Sequence, residues 1–324
     1  MKKPSEQIVT VFGGSGFLGR HVVGALARRG YRIRVAVRKP NLAGYLQPLG
    51  TVGQIMAVQA NLRDGQSVAK ALSGSDAVIN LVGILFETSR QKFSSVHRDG
   101  ARRIAQAAKD AGVGRFVQIS AIGADKASHS AYARSKAEGE EAVLTALPDA
   151  IIMRPSLLIG AEDDFFNKFA AMADLSPFLP LVGGGQTLFQ PAFVGDVAEA
   201  IARAVDGELE AGRIYELGGP DVKSFRNLLE MMIKETGKSR LLLPIPLWTA
   251  SAMGWVFEKL PMTPVLTQDQ VKLLKSDNVV SEQATKEGRD FAGIGINPTA
   301  IEAILPSYLW RYRDGGQYDH NPAA

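Results

Sequence analysis

The chain has 324 residues, is 46% hydrophobic and carries a formal net charge of +4. That length supports a sizeable core, one large α/β domain with room for a smaller lobe. The mild charge is not the basic stripe that nucleic-acid binding needs, and the lack of cysteine excludes disulfides, thiolate metal sites and cysteine nucleophiles.

The N-terminus, MKKPSEQIVTVFGG, enters a strand at once with no long apolar run ahead of it, so no signal peptide is expected. Strands are expected over IVTVF (8–12), IRVAV (33–37), IMAVQ (55–59), AVINLV (77–82), FVQIS (116–120) and AIIM (150–153). They are β-branched and nearly continuous in apolar character, as parallel strands covered on both faces should be. Helical patterns lie between them, at Gly19 to Arg29, Val96 to Asp110 and Ala133 to Ala146, with Gly30 and Gly112 placed as helix stops. Repeated βα units predict an α/β fold, a Rossmann-type doubly wound parallel sheet. After Arg154 the pattern loosens into a smaller C-terminal lobe. The expected division is 1–153 plus 189–217 for the nucleotide-binding domain, 154–188 plus 218–312 for the lobe, and a flexible tail at 313–324. Within it, 189–205 reads as a short strand leading into a helix, and YELGG (215–219) as a further strand and turn.

The stretch Gly13-Gly14-Ser15-Gly16-Phe17-Leu18-Gly19 follows a strand and opens an amphipathic helix. Glycines there permit a tight turn and close approach of the backbone to a pyrophosphate, which meets free N–H groups at the helix start. The second strand ends VAVRKP, with Arg38 where an NAD site wants an acidic residue. A guanidinium suits a 2′-phosphate, so NADP(H) is favoured over NAD(H). Arg28, Arg29, Arg32 and Arg34 also crowd this stretch, which leaves a merely solvated Arg38 open. Asn61 and Leu62 follow the third strand, toward the adenine. Leu81, Val82 and Gly83 end the fourth, under the nicotinamide ribose.

Tyr132-Ala-Arg-Ser-Lys136 puts a phenol and an ammonium at i and i+4 of a helix, on one face. A nearby cation is expected to lower the tyrosine pKa, fitting it for acid–base work. Together with NLVG (80–83), FVQIS (116–120), MRPSLLIG (153–160) and FQPAFVGDVA (189–198), these motifs resemble the short-chain dehydrogenase/reductase family in its extended or atypical branch. The resemblance implies Tyr132 as acid/base, Lys136 as its ribose-binding partner, and Pro155 and Ser156 near the nicotinamide. It also implies a Ser or Thr at the end of the fifth strand. That position falls on Ala121, with Ser120 one residue early and on the opposite face, which weakens carbonyl activation. Ser128, His129 and Ser130 are the candidates to compensate.

LTQDQVKLLKSDNVVS (266–281) and LPSYLWRYRDGGQY (305–318) narrow the resemblance to the dehydrogenase-like accessory subunits of respiratory complex I, in a bacterial form. That family implies a tightly held NADPH off the electron path, complex I subunits as partners, and a cytoplasmic chain peripheral to the inner membrane. The alternative is an active NADP(H)-dependent reductase or epimerase acting on a carbonyl, sugar or quinone-like substrate through Tyr132, Lys136 and Ser120.

The uncharged run Leu241 to Phe257 is short of a spanning helix and reads as a buried segment of the lobe, or else as a patch facing a membrane or partner. Tyr308, Trp310, Arg311, Tyr312 and Arg313 form an aromatic and basic cluster suited to an interface or to lobe packing. Glu162, Asp163 and Asp164 read as solvated loop charges, and Asp196 as a helix N-cap. The four histidines, His21, His97, His129 and His320, lack ligand spacing, so no metal is expected.

Overall fold

The computed structural model describes residues 2–259 and 264–318. His320 and the end of the expected tail lie outside them. The chain forms two compact units. The first comprises the residues up to Pro155, Val194–Leu217 and Glu282–Ile296; the second comprises Ser156–Phe193, Gly218–Ser281 and the chain from Asn297.

In the first unit the apolar runs become strands β1 (Ile8–Phe12), β2 (Arg32–Val37), β3 (Ile55–Gln59), β4 (Ala77–Asn80), β5 (Arg115–Ile119) and β6 (Ile151–Pro155). The intervening amphipathic stretches form α1 (Phe17–Arg28), α2 (Gly65–Leu72), α3 (Asp99–Asp110) and α4 (Ala131–Ala146). With a further strand, Ile214–Leu217, they make a seven-stranded sheet in the order Ile214–Leu217, β6, β5, β4, β1, β2, β3. All pairings are parallel. The order reverses between β1 and β4, and the carboxyl ends of the strands at such a switch point are where these sheets bind dinucleotides. Val11 lies beside Val35 on one side and Ile79 on the other, and all three are fully buried. That double coverage is why these strands read as continuous apolar runs. Phe12, Val68, Val78, Ile104, Phe116, Val143 and Ile152 fill the core on the α2, α3 and α4 face.

Two local details differ from expectation. The helical pattern from Val96 begins as a π-turn, Ser94–Arg98, before α3. Asp196 sits inside the first turn of the helix Val194–Asp206 rather than before it. Segment Glu282–Ile296, expected in the lobe, instead edges the sheet. Glu216 N–H donates to Arg289 O at 2.8 Å and Arg289 Nη1 to Ile214 O at 2.5 Å. Residues 189–193, expected in the first domain, belong to the second unit.

The second unit holds more strand than its sequence promised. Leu158–Ile159 pairs with Ala192–Phe193, Leu188–Phe189 with Lys223–Ser224, and Phe178–Val182 with Leu241–Ile245. Its core gathers Phe166, Leu179, Leu181, Leu228, Met232 and Leu309. Asp163 is not a solvated loop charge. It is 2% exposed, accepts the Phe166 N–H at 2.6 Å and takes the Tyr308 hydroxyl. Burial raises its pKa against these hydrogen bonds. Tyr308 is therefore an internal residue. Arg311 lies over the rings of Tyr308 and Tyr312 and bonds Ala161 O and Asn167. Arg313, expected in a flexible tail, is bound to Glu235. Most of the aromatic and basic cluster thus closes the second unit on itself.

The uncharged run behaves in the opposite way. It forms the strand Leu241–Ile245 and the helix Leu247–Lys259. Of that helix only Ala250 and Gly254 are buried. Trp248 is 76% exposed, and Trp255 and Val256 about half exposed. No helix among the described residues is long and apolar enough to cross a membrane.

Candidate functional site

The glycine loop joins β1 to α1 at the switch point. Gly13 has a left-handed φ of +77°, and a Cβ there would lie 3.2 Å from both Leu81 C and Val82 N. The loop is therefore pressed against the end of β4, which explains why Leu81 and Val82 flank it. A Cβ on Gly19 would come within 2.5 Å of Gly13 O, so only glycine lets α1 start so close to the strand. Gly16 is exposed and is the N-cap of α1, with no side-chain cap bond. A Cβ on Gly16 would meet only Gly13 O, at 3.4 Å, and would otherwise fill open space. This is a cradle that a side chain would occupy, at a helix end whose N–H groups suit a pyrophosphate. The residues present fit the dinucleotide.

Other expected positions divide clearly. Phe17 opens α1 with its ring edge-on to His21, while Leu18 is buried. Arg38 and Lys39 follow β2 directly, are exposed, and among the described residues make no ion pair. The neighbouring arginines are partly spent elsewhere. Arg29 pairs with Glu199 and Asp206, and Arg34 donates to Ala71 O and Ser73 O. Asn61 is used locally: its Oδ1 accepts Arg63 N–H at 3.1 Å. Leu62 packs under Gly100, and its carbonyl takes Arg103. Pro155 closes β6 and accepts Ile122 N–H at 3.1 Å. Ser156 belongs to the second unit, and its hydroxyl is committed to Asn278, at 2.6 Å from Oδ1.

Tyr132 and Lys136 share a face of α4, with Lys136 Nζ 5.7 Å from the Tyr132 ring centre. The expected lowering of the phenol pKa does not occur. Burial pushes Tyr132 up to about 12. Burial likewise pulls the Lys136 ammonium down to about 8, although Glu140 opposes this. Desolvation is the leading cause of both shifts. The three candidates for compensating Ala121 sit as follows. Ser130 Oγ accepts Ala133 N–H and caps α4, Ser128 Oγ accepts Ser130 N–H, and His129 is exposed. Ser120 is 3% exposed, and its hydroxyl oxygen has no hydrogen-bond partner among the described residues. Buried hydroxyls are seldom left so.

Sequence reasoning missed the residues that hold this cluster. His97 is 3% exposed. Its Nε2 accepts Ile84 N–H at 3.0 Å, and its Nδ1 lies 2.9 Å from Ser135 Oγ. Ser135 Oγ donates to Tyr132 O at 2.7 Å, so Nδ1 must carry the proton and the ring is neutral. Burial and the Lys136 charge drive the His97 pKa down to about 2. The ring stacks on Phe93 and stands edge-on to Tyr132. A second chain runs beneath: Val82 N–H to Asn80, Asn80 Nδ2 to Gln118, and Gln118 Nε2 to Ile119 O, which Lys136 Nζ also approaches at 3.4 Å. Asn80 and Gln118 are partners in the β4–β5 register. A polar pair inside two apolar strands was the available signal; His97 gave none.

Comparison with known proteins agrees with this geometry. The pattern of the NAD dependent epimerase/dehydratase family matches residues 9–218. The chain is 37% identical over 320 residues to NADH dehydrogenase (ubiquinone) 1 alpha subcomplex subunit 9, mitochondrial, of Arabidopsis thaliana, covering 95% of this chain and 79% of that protein. The protein of the same name in Rattus norvegicus is 35% identical, covering 95% of this chain and 81% of the relative. Among solved structures, the NADPH-dependent quinone oxidoreductase of Escherichia coli complexed with NADPH superposes with a TM-score of 0.73 at 20% identity, over 93% of this chain and 99% of that one. With its glycine loop at the switch point of a parallel sheet, this NAD(P)-binding chain belongs to the NAD dependent epimerase/dehydratase family.

Proposed function

We propose that the chain is an NADP(H)-binding accessory subunit of a respiratory complex I, peripheral to the membrane, with a structural or assembly role. The observation that carries this reading is the similarity, along nearly the whole chain, to relatives named as NADH dehydrogenase subunits. In this reading Gly13, Ser15, Gly16 and Gly19 cradle the pyrophosphate and Arg38 takes the 2′-phosphate. Asn61 and Leu62 border the adenine. Leu81, Val82, Gly83, Ser120, Tyr132, Lys136 and Pro155 surround the nicotinamide end, with the Ser120 hydroxyl supplying a donor. The nucleotide stabilises the folded chain by mass action, since it binds only that state. The exposed Trp248 and Trp255 face of the second unit is available for a neighbouring subunit or the membrane surface. A phenol held near 12 and Ala121 at the carbonyl-activating position both suit a site without turnover.

The second reading is a free reductase or epimerase, favoured by Tyr132 and Lys136 meeting on one face of α4. A bound nicotinamide would supply hydride chemistry there. Native fractionation of source membranes, with Tyr132→Phe and Arg38→Gln chains compared, decides between them. The accessory reading expects the chain to co-migrate with large NADH dehydrogenase assemblies, with Tyr132→Phe unaffected and Arg38→Gln depleted. A soluble chain whose NADPH-oxidising turnover vanishes in Tyr132→Phe would overturn it.

A further inference from the structure

Between Glu6 and Asp64 the sequence has no acidic residue, against eight lysines and arginines. This stretch carries β1, β2 and β3. β3 is the outermost strand of its sheet, paired among the described residues with β2 alone. Ile33 N–H donates to Gln54 O at 2.8 Å, and Ala60 N–H to Val37 O at 2.9 Å. Residues bonded to one neighbour alternate along a parallel strand, so 54, 56, 58 and 60 turn their peptide groups to β2. The N–H and C=O groups of Ile55, Ala57 and Gln59 turn outward, and among the described residues no strand meets them. The edge is open: Met56 is 62% exposed, and Gln59 is exposed. β3 reads IMAVQ, with neither the lysine nor the proline that commonly guards an edge. Cations stand at its two ends instead. Arg32 opens β2 beside Gln54, while Lys39 and Arg63 follow the carboxyl ends of β2 and β3. Arg29 and Arg34 are spent inside the fold, but these three are exposed and make no ion pair among the described residues.

We infer that the free edge of β3 accepts an extended acidic segment of a neighbouring protein subunit as a further strand. The outward peptide groups of Ile55, Ala57 and Gln59 supply the ladder, and Arg32, Lys39 and Arg63 take the carboxylates at its ends. This rests on the accessory-subunit reading. An anionic lipid surface or a nucleic acid satisfies the cations but leaves the three amides open to water. The test is hydrogen–deuterium exchange over residues 54–60, in the native NADH dehydrogenase assembly and in the isolated full chain. The amides of Ile55, Ala57 and Gln59 are expected to exchange freely in the isolated chain and at least about tenfold more slowly in the assembly. Ala57→Pro removes one outward N–H and is expected to deplete the chain from the assembly about tenfold. Met56→Glu alters no backbone group but sets a like charge beside the acidic strand, and depletes the chain about fivefold. It stands in for Ala57→Pro if that variant lowers the melting temperature of the isolated chain. Arg32→Glu combined with Arg63→Glu depletes the chain likewise, whereas Lys109→Glu on α3 changes nothing. Equal exchange in chain and assembly overturns the inference even where charge reversal depletes the chain, since that pattern is contact of the cations with an anionic surface. A wild type absent from such assemblies overturns the accessory-subunit reading itself, and the inference with it.

Discussion

Two helices of this protein bury the wrong residues by any hydropathy scale. Helix α4 carries Lys136 and Glu140, 7% and 5% exposed. The helix Leu247–Lys259 has no charge before Glu258, yet it leaves Trp248 and Trp255 in solvent. The difference lies in partners. Glu140 is gripped by both arms of Arg154, at 2.9 and 2.7 Å, and Arg154 also faces Glu216 at 3.6 Å. A buried charge so paired is tolerated; an unpaired one is not. In the other helix Ala250 and Gly254, the smallest side chains, form the buried seam, with a Cβ on Gly254 only 2.8 Å from Gln268 N. Close backbone approach at small residues leaves the tryptophans on the far face. These exposed aromatics are the reason that face is proposed for contact with a neighbouring subunit or the membrane surface.

The sharpest way to break this comparison is Glu140→Ala. It leaves the half-buried Arg154 with only the looser Glu216 partner at 3.6 Å, and the cost is expected to be about 3 kcal/mol in denaturant unfolding. A loss below about 1 kcal/mol would mean that the pair contributes little.

Lys136→Met tests the opposite cost. The folded-state pKa of Lys136 is about 8, below its ordinary 10.5, so the unfolded chain binds more protons between those values. The stability contribution of Lys136 therefore rises as pH climbs from about 8 to 10.5, and below 8 the buried charge is a constant penalty. The variant is expected to be more stable than the wild type by about 3 kcal/mol at pH 7, with the gap closing by pH 10.5. A gap independent of pH would show that packing, not charge, decides.

The smallest effect belongs to the tryptophans. Trp248→Ser and Trp255→Ser are expected to shift the stability of the isolated chain by no more than about 0.5 kcal/mol, while depleting it from native assemblies in the fractionation above. A large loss of stability in the isolated chain would show that the face is part of the lobe core.

The strands of the first unit were legible because a parallel strand buried on both faces announces itself as a short apolar run. β1 and β3 lie where the pattern placed them, β2 and β4 differ by one or two residues at one end, and β5 and β6 by one or two residues at both ends. The glycine loop was legible because only glycine satisfies its close approaches. The second unit was harder. Its strand pairs are short, three of them built from two-residue pieces or from proline-bearing segments such as Phe178–Val182, and no period emerges from so few residues.

What the sequence determined by itself was local: the repeated βα units, the turn glycines, the helix face shared by Tyr132 and Lys136. Those depend on backbone sterics and on periodicities of a few residues. Tertiary structure decided the rest. It buried Asp163 under Tyr308, wired His97 between Ile84 and Ser135, and turned Tyr132 from an expected acidic phenol into one near 12. Burial and hydrogen bonding across 38 or 145 positions set these properties, and desolvation is a property of the neighbourhood rather than of the residue.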